Sequence, residues 1–238
     1  MGPMNLGKLI LVPGLHGTAE LFGPLLDVLP PELPRRAVAY PTDRALRYRA
    51  LVELLAAQLA DEREMVLVGE SFSGAIALRL AAACPGRVRA VILCASFIMA
   101  PVPRILCYIG APLALLRFPI PNLAVRVFLT GYSAPAGLVR DLQREVHRVS
   151  PHVLAQRVLL ASTVRAAEPL RRCPVPILLL VATRDRLIGA RGARRILRAR
   201  PDVTVSSIDA PHLILQRRPA EAWRAMRQFL ETRTGHQD

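Results

Sequence analysis

The stretch Met65-Val-Leu-Val-Gly-Glu-Ser71-Phe-Ser-Gly-Ala-Ile-Ala-Leu-Arg-Leu-Ala81 restricts the fold more than any other part of this chain. Met65 to Val68 is a short apolar run that reads as a buried strand. A turn over Gly69–Gly74 follows, and a helix pattern begins at once, with Ile76, Leu78 and Leu80 among alanines. A strand, a sharp turn with serine at its tip and then a helix hold a serine hydroxyl above a sheet edge on a strained backbone. The helix must fold back close to the strand, which demands small neighbours. Gly69, Ser73 and Gly74 supply them. The usual pattern has glycine two places after the serine. Here Ser73 occupies that place and the glycine comes one later. An anion site at the helix N-terminus is the competing reading. The flanking strand and helix, with no P-loop lysine after the turn, favour the nucleophile.

The rest of the chain supplies a sheet around this stretch. Lys8–Val12 is a short apolar strand running into Pro13-Gly-Leu-His-Gly-Thr18. A helix is expected from about Ala19 to Pro30, a second strand over Ala37–Tyr40, and a helix carrying Leu51, Leu54, Leu55 and Leu59 to about Glu62. After the elbow helix, Pro85-Gly86 stops the pattern and Val88–Ala95 reads as a strand. Strand signals resume over Pro176–Ala182, with the strand itself at Ile177–Val181, and again at Val203–Ile208, separated by a helix over Ala190–Arg200, and Pro219 fits the first position of a final helix. Apolar strands alternating with helices mean a mostly parallel α/β sheet flanked by helices. Residues 99–167 are proline-punctuated and then helical, with no clear strand. They are expected to form a helical lid inserted into a core made of residues 1–98 and 168–238. Ligands in such sheets bind at the carboxyl ends of the strands, and an insertion leaving that edge covers the site.

At 238 residues, 52% of them hydrophobic and 21% charged, the chain can bury one large core. No apolar run reaches membrane-spanning length. The segment 105–127 is broken by Pro112, Arg117, Pro119, Pro121 and Arg126. No signal peptide is visible, which points to the cytoplasm. Cys84, Cys94, Cys107 and Cys173 show no paired spacing and read as reduced structural thiols. Neither a metal site nor a cofactor motif is present. The net charge of +14 invites an anionic partner. Yet Lys8 is the single lysine among 32 basic residues, a bias that looks like genome composition, and no RNA-binding aromatic motif accompanies the arginines. Nucleic acid is not expected.

A serine nucleophile needs a base to take its proton and a carboxylate to orient that base. With this strand-turn-helix the chain order is serine, acid, histidine. His212 lies four residues past the last strand, in a loop at the carboxyl edge. His236 is in the polar tail, His147 and His152 fall in the lid, and His16, in the loop after the first strand, is the rival. Asp185 follows the strand ending near Ala182 and is the candidate acid. The bland alternative for Asp185 is a surface carboxylate paired with Arg184 or Arg186. Glu70, Asp43 and Asp209 are weaker by position. The developing oxyanion needs preorganised backbone donors. One is the N–H of Phe72, directly after the nucleophile. The other is expected from Leu15, because Pro13-Gly14 sits where a His-Gly pair commonly does. His16 then flanks this hole and is a candidate substrate contact.

Together these motifs resemble the α/β-hydrolases, of the small, lidded kind that includes bacterial carboxylesterases and thioesterases. Val-Pro-Gly-Leu-His-Gly-Thr18, Val-Gly-Glu-Ser71-Phe-Ser-Gly, Ala-Thr-Arg-Asp185-Arg-Leu-Ile and Ala-Pro-His212-Leu fall in that family's order and spacing. The likeness covers residues 8–98 and 170–231. It implies a serine hydrolase acting on carboxylic esters through an acyl-enzyme on Ser71. Thioester hydrolysis or acyl transfer to an alcohol by the same triad is the alternative, and a non-catalytic receptor on this scaffold is a further one. The short N-terminus implies about six strands rather than the usual eight. Apolar stretches in the lid point to a hydrophobic acyl group. The arginine patch after Asp185 suggests docking of an acidic or phosphorylated carrier.

Overall fold

The computed structural model describes residues 6–117 and 120–234. Its centre is a six-stranded sheet in the order β2-β1-β3-β4-β5-β6, with every pairing parallel. The strands are β1 (Lys8–Val12), β2 (Arg35–Ala37), β3 (Met65–Glu70), β4 (Val88–Cys94), β5 (Ile177–Ala182) and β6 (Thr204–Ile208). β3, the strand that leads into Ser71, lies in the middle and is buried along its whole length.

Successive side chains on a strand point to opposite faces, and this divides the core in two. Ile10, Leu67, Val91 and Leu179 face the helices Tyr48–Gln58, Gly74–Ala83 and Gly189–Ala199. Leu11, Val68, Ile92 and Leu178 face the final helix Pro219–Thr234, through Trp223, Met226 and Leu230. Both faces are covered, so the central strands are continuously apolar rather than alternating. The edges carry polar groups instead: Arg35 and Arg36 on β2, Thr204, Ser206 and Ser207 on β6. Such groups protect an unpaired edge from pairing with another chain.

Two boundaries differ from the sequence expectation. The second strand covers Arg35–Ala37, not Ala37–Tyr40. Val38 keeps one bond to β1 (Val38 N–H to Leu11 O, 3.0 Å), but Tyr40 N–H donates to Gly17 O (2.8 Å) in the loop after β1. The apolar run there is buried by that loop, not by strand pairing. The first helical segment is short, a 3-10 turn Glu20–Phe22 followed by Gly23–Leu26.

Between β4 and β5 the chain is helical, with the longer helices at Arg104–Leu115, Ala136–Arg148 and Pro151–Thr163. One isolated bridge, Met99 to Arg165, closes the neck of this insert. Val125, Val139 and Leu142 form a small cluster with Leu21 and Leu213, which seats the insert beside the loop after β6.

The packing gives two glycine substitutions opposite signs. A β-carbon at Gly69 would lie 2.9 Å from the Ser73 carbonyl oxygen and 3.0 Å from Ala77 Cβ. Gly69→Ala is expected to lower unfolding free energy by about 1–3 kcal/mol in urea titration. Gly137, in the first turn of helix Ala136–Arg148, meets no atom within 4 Å, and Gly137→Ala should raise it by about 0.5–1 kcal/mol.

Candidate active site

The loops after β1, β3, β4, β5 and β6 meet at the carboxyl edge of the sheet. Ser71 opens the turn after β3 with φ of +53°. That left-handed conformation is costly for a residue with a β-carbon, so the surroundings must impose it. Two serines do so. Ser73, standing where a glycine is usual, is fully buried and donates to Val12 O (2.6 Å), with Glu70 O also in reach (2.9 Å). The elbow is thereby tied to the end of β1. Ser96, just past β4, donates to the Ser71 carbonyl (2.7 Å). A β-carbon on Gly74 would collide with the Ser96 side chain. Glycine is required there by close approach, and serine is tolerated at position 73 because its hydroxyl finds an acceptor.

The structure brings Ser71, His212 and Asp185 into one hydrogen-bonded line. His212 Nδ1 lies 2.8 Å from Asp185 Oδ2, and His212 Nε2 lies 2.9 Å from Ser71 Oγ. Asp185 Oδ1 accepts from the backbone N–H of Leu187 (2.8 Å) and Ile188 (3.0 Å). Burial opposes the charge on Asp185, but the His212 bond and these two amides outweigh it and hold the carboxyl below its ordinary value. An ionised Asp185 accepts only, so Nδ1 carries the histidine proton and Nε2 is free to accept from the Ser71 hydroxyl. The acid and base loops are also joined through the backbone, by Thr183 N–H to Ile208 O and Arg184 N–H to Ala210 O, both 3.0 Å. The other acidic candidates lie elsewhere. Asp209 is an exposed partner of Arg184 (2.7 Å) and Asp43 is exposed. The arginine beside Asp185 therefore pairs with Asp209, leaving Asp185 to His212. His147 and His152 are both exposed. His236 lies outside the described residues.

The loop after β1 turns back on itself at Gly14–Gly17 (Gly17 N–H to Gly14 O, 3.1 Å), with φ of +78° at Gly17. It is held from below by Arg157, which sequence reasoning did not single out. Arg157 comes from the insert helix Pro151–Thr163 and is 2% exposed. Its Nη1 donates to Leu15 O (3.0 Å) and His16 O (2.9 Å), and its Nη2 to Pro41 O (2.8 Å). The guanidinium also lies over the Tyr40 ring, 5.3 Å from the centroid. Burial lowers its pKa to about 10, so it remains a cation at neutral pH. Tyr40 adds a bond from its hydroxyl to Pro13 O (2.9 Å). A side chain on Gly17 would collide with Arg157 and Tyr40. No sequence pattern marks an arginine of this kind in a chain so rich in arginine.

His16 is buried on the same loop. Its Nδ1 accepts from Thr18 N–H (3.2 Å) and lies 2.9 Å from Thr18 Oγ1. The proton of the neutral ring is therefore on Nε2, which is buried without a partner. Burial and the nearby Arg157 charge lower its pKa to about 4, so the ring is neutral at physiological pH. Phe72 follows Ser71 with its ring stacked on Tyr48 (5.0 Å). Glu70 is fully buried behind the elbow, 3.4 Å from Gln216 Nε2. Burial pushes its carboxyl up, against the Gln216 bond and the His212 charge. Glu70 Oε1 and Gln216 Oε1 both lack partners.

A serine hydroxyl bonded to an imidazole that is oriented by a buried carboxylate is equipped for nucleophilic attack on an acyl carbon. The family model described as "Alpha/beta hydrolase family" matches residues 9–225. The chain belongs to the α/β-hydrolase family. Among solved structures it is similar to a hydrolase from Oleispira antarctica (TM-score 0.82, 12% identity, 94% of this chain and 91% of that one). It is also similar to an esterase from Exiguobacterium antarcticum (TM-score 0.80, 12% identity, 96% and 92%). A third is an esterase from a Rhodococcus species (TM-score 0.73, 17% identity, 95% and 91%). At these identities the likeness is one of fold. Comparison with curated proteins gave no significant match.

Two outcomes are expected from the buried ions. Arg157→Met leaves three carbonyls without their donor and should cost about 2–4 kcal/mol of stability, read by urea unfolding. For Glu70, the folded-state pKa is raised above the ordinary 4.5. Its stabilising contribution is full below the unfolded value and is lost as pH rises through the folded one. Glu70→Gln should therefore match wild type near pH 4 and unfold at higher temperature than wild type at pH 7.

Proposed function

We propose that the protein is a serine hydrolase that cleaves carboxylic esters with a hydrophobic acyl group. The observation that carries this reading is the Ser71–His212–Asp185 line at the carboxyl edge of the sheet. Ser71 Oγ attacks the ester carbonyl carbon while its proton passes to His212 Nε2. Asp185 stabilises the imidazolium that results. The carbonyl oxygen becomes an oxyanion and accepts from the backbone N–H of Phe72 and Leu15. As the intermediate collapses, the C–O bond to the alcohol breaks and His212 returns the proton to the departing oxygen. Water then attacks the acyl-enzyme with His212 as base, releasing the acid and free Ser71.

The loop after β1 matters as much as the triad in this scheme. The Gly14 carbonyl accepts from Gly17 N–H (3.1 Å), which fixes the peptide plane carrying the Leu15 N–H, and Arg157 anchors the two peptide planes that follow through the carbonyls of Leu15 and His16. The unpartnered His16 Nε2–H is a further donor for a substrate oxygen. Residues 99–167 act as a lid over the core formed by 1–98 and 168–238. A cavity of about 310 Å³ lies where this lid leaves β4, with an apolar wall of Phe97, Ile98, Met99, Val102 and Ile188 and with Arg104, Arg191 and Arg195 on its remaining lining. It begins one residue from Ser96, whose hydroxyl bonds Ser71 O, and it suits an apolar acyl chain. Four buried unpaired cysteines fit a cytoplasmic setting.

A second reading, hydrolysis of carrier-bound thioesters, has one observation in its favour. Arg126, Arg184, Arg186 and Arg217 line a cavity of about 190 Å³ beside Pro211, next to His212. That cluster suits an acidic or phosphorylated carrier.

Hydrolysis of matched chromogenic esters and thioesters of increasing chain length tests both readings. Ser71→Ala should lower kcat on esters by on the order of 10⁴-fold or more, and longer acyl chains should lower KM. Rapid ester turnover surviving Ser71→Ala sinks the mechanism. A carrier thioester cleaved no faster than its small-molecule mimic removes the second reading.

A further inference from the structure

The helical insert carries an apolar surface that the chemistry of Ser71 does not use. Among the described residues, every exposed large hydrophobic side chain except Val205 falls between Met99 and Tyr132. Helix Arg104–Leu115 holds most of them. It rests on helix Pro151–Thr163 along a narrow stripe, burying Cys107 and Ala111, with Gly110 facing Val158. The opposite side presents Ile105, Leu106, Tyr108, Ile109, Leu113 and Leu115, each 43–62% exposed. Leu116 and Leu123 extend the patch at 75% and 64%. A solvent-facing helix normally carries charge on that side. Between Arg104 and Arg117 this one carries none.

The charge along this part of the chain is of one sign. From Ser71 to Arg140 the chain has no aspartate or glutamate and seven arginines. Arg104 and Arg117 bracket the apolar helix and are exposed. Arg191 and Arg195 share a cavity with Arg104 at its start. A second copy of this chain, with net charge +14, would bring cations against cations. Among the described residues no helix is long and apolar enough to cross a membrane. An apolar helix face with a cation at each end, on a stretch of chain without anions, matches one environment in particular, the headgroup boundary of an anionic bilayer.

We propose that helix Arg104–Leu115 docks on anionic lipid, lying in the plane of the interface. Ile105, Ile109, Leu113 and Leu116 enter the acyl region, and Arg104 and Arg117 pair with lipid phosphates. The surface that carries the insert then faces the phase in which apolar esters dissolve.

Flotation with phosphatidylcholine vesicles, with and without phosphatidylglycerol, tests this. Wild type should float with the phosphatidylglycerol vesicles and stay behind with phosphatidylcholine alone, and added salt should weaken binding. The double substitution Ile105→Glu with Ile109→Glu should weaken it by on the order of tenfold or more. Arg104→Gln and Arg117→Gln should each weaken it by about fivefold. All these side chains are exposed, so an unchanged melting temperature is expected for each variant. Ser71→Ala should bind as wild type does, which separates docking from turnover. No flotation, equal binding to both vesicles, or binding unchanged by the two glutamates overturns the proposal. So does a wild-type dimer in solution that those glutamates dissociate, because that result assigns the face to a second copy.

Discussion

The backbone at Ser71 adopts a conformation that an isolated serine avoids, and much of the structure exists to hold it there. β3 is central and buried along its length, so the strand end has no freedom to relax. Gly69 and Gly74 let the following helix approach it, and the side chains of Ser73 and Ser96 bond across to β1 and to Ser71 itself. Strain of this kind costs about 1–3 kcal/mol and persists only where surroundings over-determine it. Here the hydrogen bonds tie the turn to the ends of β1 and β4, the two strands that flank β3. His212 and Asp185 then need only short loops from β5 and β6 to reach the hydroxyl, and those loops are bonded to each other.

Electrostatics around the site follow from burial. Asp185 is held below its ordinary value by its donors despite burial, burial pushes the Glu70 carboxyl up, and His16 is held neutral by burial beside a cation. Arg157 is the unusual member. A guanidinium taken out of water without a carboxylate is expensive, and it is offset here by three carbonyls and the face of Tyr40. Because Arg157 belongs to the insert and its acceptors belong to the core, it also anchors helix Pro151–Thr163. The insert is therefore of two characters. Its second half is bonded and packed onto the core, and its first, Arg104–Leu115, lies outermost with its apolar side uncovered.

Much of this was legible in residue order alone. Apolar runs of strand length, each ended by glycine or a polar loop, placed five of the six strands within a residue or two. The position of Asp185 and His212 just beyond strand ends brought them to the same edge as Ser71. β2 was misplaced because Val38 and Tyr40 are buried by a loop, and burial leaves the same apolar signature whether or not a strand pairs. Arg157 was illegible for a different reason: an arginine in a helix of an arginine-rich chain reads as surface, and nothing local reveals that its acceptors lie more than a hundred residues upstream. Ser96 and Gln216 were equally silent, since a single polar residue acquires meaning only from the partner that the fold brings to it. The Ser73 departure from the usual glycine was visible, but the acceptor that accommodates it was not.

The central claim is that Ser71 forms a covalent acyl-enzyme with His212 as its base. Reaction with a fluorophosphonate, followed by peptide mass mapping, tests it most directly. One adduct per chain is expected, located on Ser71, and it should be lost in His212→Ala with the fold intact. An adduct on another residue, or full ester turnover by a protein whose Ser71 stays unlabelled, would contradict it.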